Sequence, residues 1–407
     1  MKKIFIVGIF CVLTLIGCLL FNDTTETGDP RGDLFAGAAA CAKCHSSISN
    51  SYLHTAHYIA SLPANPQTVH GSFNKDSNEF KVKEGQKVVM EKQDSGLFQT
   101  YYLYGKLKEK HRFDIVMGGI KGESYLSWKG NSLYQLPLSY YTGQQQWSTS
   151  PGYGFNFLNY PGLRNIGKRC LECHTSYIGN LPNASSDLTL AEQFDKSTLI
   201  YSIDCERCHG PAREHVEYQT LNPLVKTAKY ITAYSSLNRS RKVDMCAVCH
   251  SGNPEVMLRS TFDFKPGATY ARFKLPDFNR KIDTNNLDVH GKQVQLLESS
   301  KCFKKSKMDC ATCHNPHENS RGNTNLFTQK CLSCHNAPDQ PFCKLKHKIS
   351  DAMLAAKCIS CHMPAQTSNS ISVQVSDKLP SIRFSVHTHR IAVYPQETKN
   401  ILAYLNK

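Results

Sequence analysis

The sequence is short of acidic residues relative to basic ones. Asp and Glu number 33 against 48 Lys and Arg, so the formal net charge is +15. Such an excess is typical of proteins that bind nucleic acid or membrane surfaces, but the chain contains no nucleic-acid-binding motif. It has no low-complexity tract, which argues against a biased, disordered chain. Apolar residues make up 40% of the 407 residues, so the aliphatic core is expected to be modest.

Cysteine is absent from residues 71–165, although the whole chain has 18 cysteines. In this region short alternating runs are separated by turn signals such as Gly85-Gln86 and Gly130-Asn131. The pattern predicts an antiparallel meander of about six strands. The predicted strands are Glu79–Glu84, Lys87–Gln93, Leu97–Tyr104, Arg112–Met117, Ser124–Lys129 and Ser132–Leu136.

Outside that region one pentapeptide, Cys-x-x-Cys-His, occurs seven times. Its copies, motifs 1 to 7, are Cys41–His45, Cys170–His174, Cys205–His209, Cys246–His250, Cys310–His314, Cys331–His335 and Cys358–His362. The spacing is that of c-type haem attachment. On one helical turn the two thiols share a face and reach the two vinyl groups of a porphyrin. The adjacent imidazole then lies under the iron as proximal ligand.

The motifs therefore predict seven covalently attached c-type haems. The cysteines that would bind them are Cys41, Cys44, Cys170, Cys173, Cys205, Cys208, Cys246, Cys249, Cys310, Cys313, Cys331, Cys334, Cys358 and Cys361, and the iron ligands are His45, His174, His209, His250, His314, His335 and His362. Zinc is the main alternative, but a zinc site does not require His directly after every second Cys. Haem propionates would bring the charge of +15 down by about 7 in the oxidised protein, which removes the need for a nucleic-acid partner.

The chain begins with an export segment, Met1–Phe21. Lys2 and Lys3 precede an apolar run, and Leu15-Ile16-Gly17-Cys18 resembles a lipoprotein signal in which Cys18 is acylated. An uncleaved membrane anchor is the alternative, because the apolar run from residue 4 to 21 has the minimum length for a span. Either interpretation places the body of the protein outside the cytoplasmic membrane, and the lipoprotein signal predicts a periplasmic, outer-membrane or cell-surface lipoprotein.

The motif positions suggest five regions. These are the leader at 1–21, a polar tether at 22–33, a haem 1 segment at 34–70, the haem-free β-rich insert at 71–165 and a six-haem domain at 166–407. In the haem 1 segment Ser47–Leu62 predicts a helix that ends at Pro63, with His54 and His57 on one face. We therefore expect a mainly α fold with much irregular structure around stacked haems, plus the inserted antiparallel β-rich segment.

An aromatic stretch closes the insert. We interpret it as a β-core and a docking surface for haem edges, with a substrate pocket as the alternative. Its members are Tyr140, Tyr141, Trp147, Tyr153, Phe155, Phe157 and Tyr160.

Ten histidines remain beyond the seven proximal ones. Bis-His coordination is common for low-potential haem, so several are candidate sixth ligands. His215 and His317 lie too close to their own motifs to reach the far face of those haems, and are better placed for a neighbour. His347 precedes motif 7 in a helix-like run.

Two cysteines, Cys302 and Cys343, are also spare; they are compatible with a disulfide or with two buried thiols.

The haem-bearing half of the chain resembles the multihaem cytochromes of the cytochrome c-554 and hydroxylamine oxidoreductase superfamily. The similar stretches are motif 1 with its downstream His57, Cys-Glu-Arg-Cys-His-Gly-Pro with His215, Cys-Ala-Thr-Cys-His-Asn-Pro-His317 and Cys-Ile-Ser-Cys-His-Met-Pro. The resemblance implies that His57, His215, His317 and His347 are distal iron ligands. His290, His387 and His389 are similar in placement. The insert at 71–165 departs from the tetrahaem members.

Two functions fit this sequence. The first is electron transfer through a chain of mostly bis-His haems, between a membrane quinol-oxidising donor or another cytochrome and a further acceptor. The second is a multihaem oxidoreductase that acts on a small nitrogen or sulfur compound at one haem with an open sixth position. The seventh distal ligand would then decide between them; its candidates are His54, His70, His111 and the spare one of His387 and His389. The lipid on Cys18 would attach the protein to a membrane.

Overall fold

A computed structural model describes residues 28–153, 162–182, 191–252, 256–275, 287–335, 343, 345, 348–373 and 381–405. It is 32% helical and 27% strand, with several antiparallel sheets. The expectation of a mainly α fold was therefore wrong. One physical reason is that a haem motif needs only one helical turn, so the helices stay short and hairpins connect them. Within the described residues no helix is both long and apolar enough to cross a bilayer; the segment Met1–Phe21 lies outside them.

The haem 1 segment folds into helices α1, Ala38–Cys44, and α2, Ser46–Tyr52, followed by a 3₁₀ turn and strand β1, Ser61–Pro63. The helix predicted over Ser47–Leu62 thus ends ten residues early. The Thr55 hydroxyl donates to the Tyr52 carbonyl and accepts from the Tyr58 amide, and these local bonds replace the helical ones. As a result His54 points to solvent, whereas His57 is half-buried.

Residues 79–112 form a four-stranded antiparallel meander with the strand order β2-β3-β4-β5. Its strands are β2 Glu79–Lys83, β3 Gln86–Gln93, β4 Gly96–Leu103 and β5 Lys106–Arg112. Gly85 and Gly105 have φ angles of 69° and 75° at two of the turns, a conformation that favours glycine. Strand β5 was not predicted from the sequence, and the strand predicted over Arg112–Met117 is interrupted at Phe113 and Asp114.

A second, seven-stranded sheet contains β1 and the rest of the insert. Its main path is β1-β6-β7-β8-β11, and β9 pairs with β7 and β10. Its further strands are β6 Ile115–Gly118, β7 Glu123–Lys129, β8 Ser132–Gln135, β9 Leu138–Tyr141, β10 Gln146–Thr149 and β11 Arg164–Asn165. The predicted single meander is therefore two sheets. Phe113 stacks on Tyr125 with ring centres 4.4 Å apart, and Trp147 lies against both in the shared core. Phe155, Phe157 and Tyr160 lie outside the described residues.

The remainder consists of short helices connected by hairpins and loops. Its helices are α3 Lys168–His174, α4 Cys205–His209, α5 Arg213–Leu221, α6 Arg239–His250, α7 Gln293–Glu298, α8 Lys301–Lys305, α9 Thr324–His335, α10 Asp351–His362 and α11 Pro395–Leu405. The hairpins pair β12 Tyr177–Leu181 with β13 Gln193–Ile200, β14 Val256–Met257 with β15 Lys274–Leu275, and β16 Ala365–Val373 with β17 Ile382–His387.

Candidate functional site

Six of the seven motifs lie at the C-terminal ends of α-helices. Motif 3 is itself the one-turn helix α4, while motifs 4, 6 and 7 form the last turns of α6, α9 and α10. Motif 5 is the exception, because Cys310–Thr312 is a 3₁₀ turn that begins with a capping box at Asp309. The helical turn thus places both thiols of a motif on one side, as the spacing predicts.

All seven motifs open into one continuous cavity of about 3720 Å³. Its lining includes every motif cysteine and all seven motif histidines. Shared equally among seven porphyrins the volume is about 530 Å³ each, within the range of about 300–1,000 Å³ that encloses one sizeable ligand. The lining is predominantly apolar despite its many titratable groups, which suits a porphyrin with two polar edges. The residues present therefore fit a set of closely spaced haems.

Three pairs of imidazoles face each other across this cavity at a nearly constant distance. The ring centres are 6.2 Å apart for His57 and His250, 6.0 Å for His209 and His317, and 6.1 Å for His314 and His389. An iron bonded to both rings needs about 2 Å to each nitrogen and about 1.1 Å from nitrogen to ring centre, roughly 6 Å in all. Each pair joins a proximal histidine to one predicted as a distal ligand.

The planes of these three pairs are not oriented alike. The rings of His209 and His317 are 14° from parallel, and those of His314 and His389 are 27° from parallel. The rings of His57 and His250 cross at 73°.

Several cavity histidines use one ring nitrogen to donate to a backbone carbonyl. The Nδ1 atoms of His215, His362 and His387 donate to the carbonyls of Lys229, Ala392 and Met363, at 2.8, 2.9 and 2.6 Å. The backbone groups of Ala60 and Pro316 partly offset the lowering of the pKa of His174 and His57 by burial. A carbonyl accepts only from a protonated nitrogen. Where Nδ1 is the donor, Nε2 is therefore left unprotonated and free for iron, as in other metal-binding histidines.

Burial favours the neutral form of the cavity imidazoles of His250, His389 and His174, which is the form that binds a metal. Burial and the nearby His57 lower the pKa of His250 to about 4. Burial and the nearby His314 likewise lower the pKa of His389 to about 4. Burial also lowers the pKa of His174, and His290 is the charged group that adds to this effect. His290 therefore lies near the proximal ligand of motif 2.

The cavity separates the candidate histidines into two groups. His57, His215, His290, His317, His387 and His389 line it, together with the seven proximal histidines. His54, His70 and His111 are outside it. His70 is paired with Glu123 and His111 with Glu109, both on the β-sheets. His347 lies outside the described residues.

Contacts between motif cysteines give the spatial order of the motifs. Thiols of different motifs lie side by side in three places, where each raises or lowers the pKa of its neighbour: Cys41 with Cys205, Cys173 with Cys249, and Cys246 with Cys310. Cys208 lies close enough to Cys249 for the charge of one to raise the pKa of the other. Cys331 lies similarly close to Cys313 and Cys358. The motifs are therefore arranged as 1-3-4-5-6-7, and motif 2 joins this row beside motif 4.

Charged residues inside motifs 2 and 3 join separate parts of the cavity wall. Glu206 is 1% exposed and accepts hydrogen bonds from Arg31 and from the amides of Ala36, Gly37 and Ala212. Arg31 is 5% exposed and also pairs with Asp29 and Asp204. This network fixes the chain before motif 1 against motif 3.

A second buried network joins motifs 2 and 3. The Arg207 guanidinium donates to the Glu172 carbonyl at 3.0 Å and to both oxygens of Thr261. The Glu172 carboxylate in turn accepts from the Ser260 hydroxyl and the Thr261 amide. The sequence reasoning missed both networks. Their one visible signal is that motifs 2 and 3 have acidic residues between their cysteines, whereas the other motifs have none there.

The spare cysteines lie in different places. The structure records Cys302 and Cys343 as free thiols, so the disulfide between them is not observed. Cys302 lies near Cys334 and Cys313, as their mutual effects on pKa show. Cys343 instead lies near Cys358 and Cys361 of motif 7.

Comparison with known proteins agrees with this geometry. A family model described as "Cytochrome c554 and c-prime" matches residues 160–210, which contain motifs 2 and 3. The solved structure titled "Crystal Structure of Outer Cell Wall Cytochrome OcwA" is similar over 90% of this chain and 82% of that chain, with a TM-score of 0.50 and 18% identity. That likeness concerns the fold alone. No curated protein matches. These findings support a multihaem c-type cytochrome.

Proposed function

We propose that this protein carries electrons along a chain of seven c-type haems outside the cytoplasmic membrane. The observation that carries the proposal is the single cavity lined by all seven motifs, with three facing imidazole pairs 6.0–6.2 Å apart. The chain's own residues would supply the thioether anchors, hold both axial imidazoles and exclude water from between the centres. The haems would supply the redox chemistry.

The proposed distal ligands number seven, one for each iron. His57, His317 and His389 would serve the haems of motifs 4, 3 and 5, whose proximal rings they face. His290 would serve motif 2. His215, which lies with His45 near His209, would serve motif 1. His347 and His387 would serve motifs 6 and 7 between them. A full set of distal histidines favours electron transfer over an oxidoreductase, because the latter needs an open iron.

The redox partners of this protein are proposed from its predicted export. A membrane-bound quinol-oxidising protein or another cytochrome would donate electrons, and a second redox protein would accept them. The lipid on Cys18 would hold the protein at the membrane or cell surface. Redox docking of this kind typically uses small, weak interfaces.

Counting the low-spin and high-spin haem irons tests the proposal. The oxidised holoprotein should show seven low-spin haems by electron paramagnetic resonance (EPR), and its spectrum should not change with cyanide or nitrite. His317→Ala should convert one haem in seven to high spin, and that haem should bind cyanide, because His209 would lose its facing ligand. His54→Ala is the matched control and should change nothing, since His54 is exposed outside the cavity. A high-spin haem in the unaltered protein that responds to nitrite would instead favour the oxidoreductase.

A further inference from the structure

The site around motif 4 differs from the other two facing-imidazole sites. Its rings cross at 73°, while those at motifs 3 and 5 are 14° and 27° from parallel. The three ring-to-ring distances are almost equal, so only the orientation distinguishes this site.

The loop directly after motif 5 lies beside the His57 ring. The Pro316 carbonyl of this loop is the backbone group nearest in effect to the imidazole of His57, and it partly offsets the lowering of the His57 pKa by burial. A ring nitrogen that donates must point at its acceptor, so donation to this carbonyl would limit rotation of the ring about its Cβ–Cγ bond. The His57 main chain is also fixed, because its carbonyl accepts from the Ile203 amide at 3.0 Å.

The loop that presents this carbonyl is itself rigid. Pro316 has a fixed φ angle and restricts Asn315 to extended conformations. The Asn315 side chain also accepts from the His317 amide at 3.1 Å, which closes a local turn. The segment Cys310–His317 therefore supplies the proximal ligand His314, the distal-ligand candidate His317 and the acceptor for His57.

We propose that the Pro316 carbonyl is a positioning group that holds the imidazole of His57 across that of His250, and so makes haem 4 electronically distinct from haems 3 and 5. This inference rests on the proposed bis-His ligation of motif 4. Each imidazole donates π density to the iron orbital perpendicular to its ring. Parallel rings load one orbital and separate the pair in energy, whereas crossed rings load both and leave them nearly equal.

The electronic difference is visible by EPR. Nearly equal orbitals give ferric low-spin haem a strongly axial signal with a large maximum g value. Separated orbitals give an ordinary rhombic signal. The oxidised holoprotein should therefore show a strongly axial signal that His57→Ala removes. Haems 3 and 5 should give rhombic signals that His317→Ala and His389→Ala remove in turn.

The role of Pro316 is tested by Pro316→Gly, which keeps a carbonyl but frees the loop. The axial signal should move to a smaller maximum g value or broaden, while seven haems stay attached and low-spin by mass and optical spectra. Glu318→Gln is the matched control, because Glu318 is exposed in the same loop and should leave the axial signal unchanged.

The possible outcomes separate this inference from the proposed function. If His57→Ala removes a rhombic signal, the crossed arrangement is wrong although His57 is still a ligand. If Pro316→Gly leaves the axial signal as it was, the positioning role of the loop is wrong. If His57→Ala leaves all seven low-spin signals intact, His57 is not a ligand, and the proposed ligand set itself fails at motif 4.

Discussion

Replacing Glu206 by Gln should loosen the chain before motif 1 without removing a haem. The two carboxylate oxygens divide four donors between them: Ala36 and Ala212 amides on one, the Gly37 amide and Arg31 on the other. A Gln side chain presents an NH₂ group to one of these pairs, so two donors lose their acceptor. The buried Arg31 also loses one of its carboxylate partners.

The size of this effect follows from the number of bonds lost. Each buried donor left without a partner costs about 1–3 kcal/mol. Breaking one partner out of a buried ion pair costs about 3–5 kcal/mol. Asp29 and Asp204 still neutralise Arg31, so we expect about 3–5 kcal/mol in total rather than the sum of both terms.

Amide hydrogen exchange of the holoprotein measures this loss locally, without assuming two-state unfolding. The amides of Ala36 and Gly37 should exchange roughly 100- to 5,000-fold faster in Glu206→Gln than in the unaltered protein. Glu214→Gln is the control, since Glu214 is exposed on α5. Exchange at residues 36 and 37 that stays within about threefold of the unaltered protein would refute the stabilising role assigned to Glu206.

Three further predictions concern haem loading, export and the second buried network. Mass spectrometry of protein matured in a host that attaches c-type haem should show seven haem additions, and Cys173→Ala should leave haem 2 singly tethered or lost; fewer than seven with all motifs intact would contradict the assignment. Cys18→Ser should abolish acylation and release the protein, whereas membrane association without lipid on residue 18 would indicate an uncleaved anchor. Arg207→Lys should destabilise the contact between motifs 2 and 3 by about 1–3 kcal/mol, because an ammonium cannot span two acceptors as the guanidinium does; unchanged exchange at the Thr261 amide would argue against this.

The haem motifs and their ligand candidates could be predicted because they follow local rules. One helical turn determines where the two thiols and the proximal imidazole point, whatever the rest of the chain does. The short spacing between His317 and its own motif similarly predicted that it faces a neighbouring motif, and the structure places it opposite His209. Which distant ring it faces depends on residues more than 100 positions apart, and no local pattern contains that information.

The fold class failed for a different reason. Strand β5, Lys106–Arg112, carries charged residues at most positions and has little alternation, so its pattern does not indicate a strand. It is an edge strand, where exposed lysines discourage pairing with another chain, and its backbone is held by β4. The helix predicted over Ser47–Leu62 failed because the Thr55 hydroxyl competes for backbone groups, an effect that propensity alone does not capture.

The position of motif 4 has a consequence for traffic through the molecule. Its two cysteines each contact a cysteine of a different motif, Cys249 with Cys173 and Cys246 with Cys310, and Cys208 of motif 3 is also near. A simple row of centres has two ends and carries one current. A row with a side arm has three terminals, so electrons arriving at one can leave by either of the others. Under the proposed electron-transfer function, the exit taken would be decided by which partner is docked and oxidised at that moment, so that one molecule would serve two recipients without any moving part.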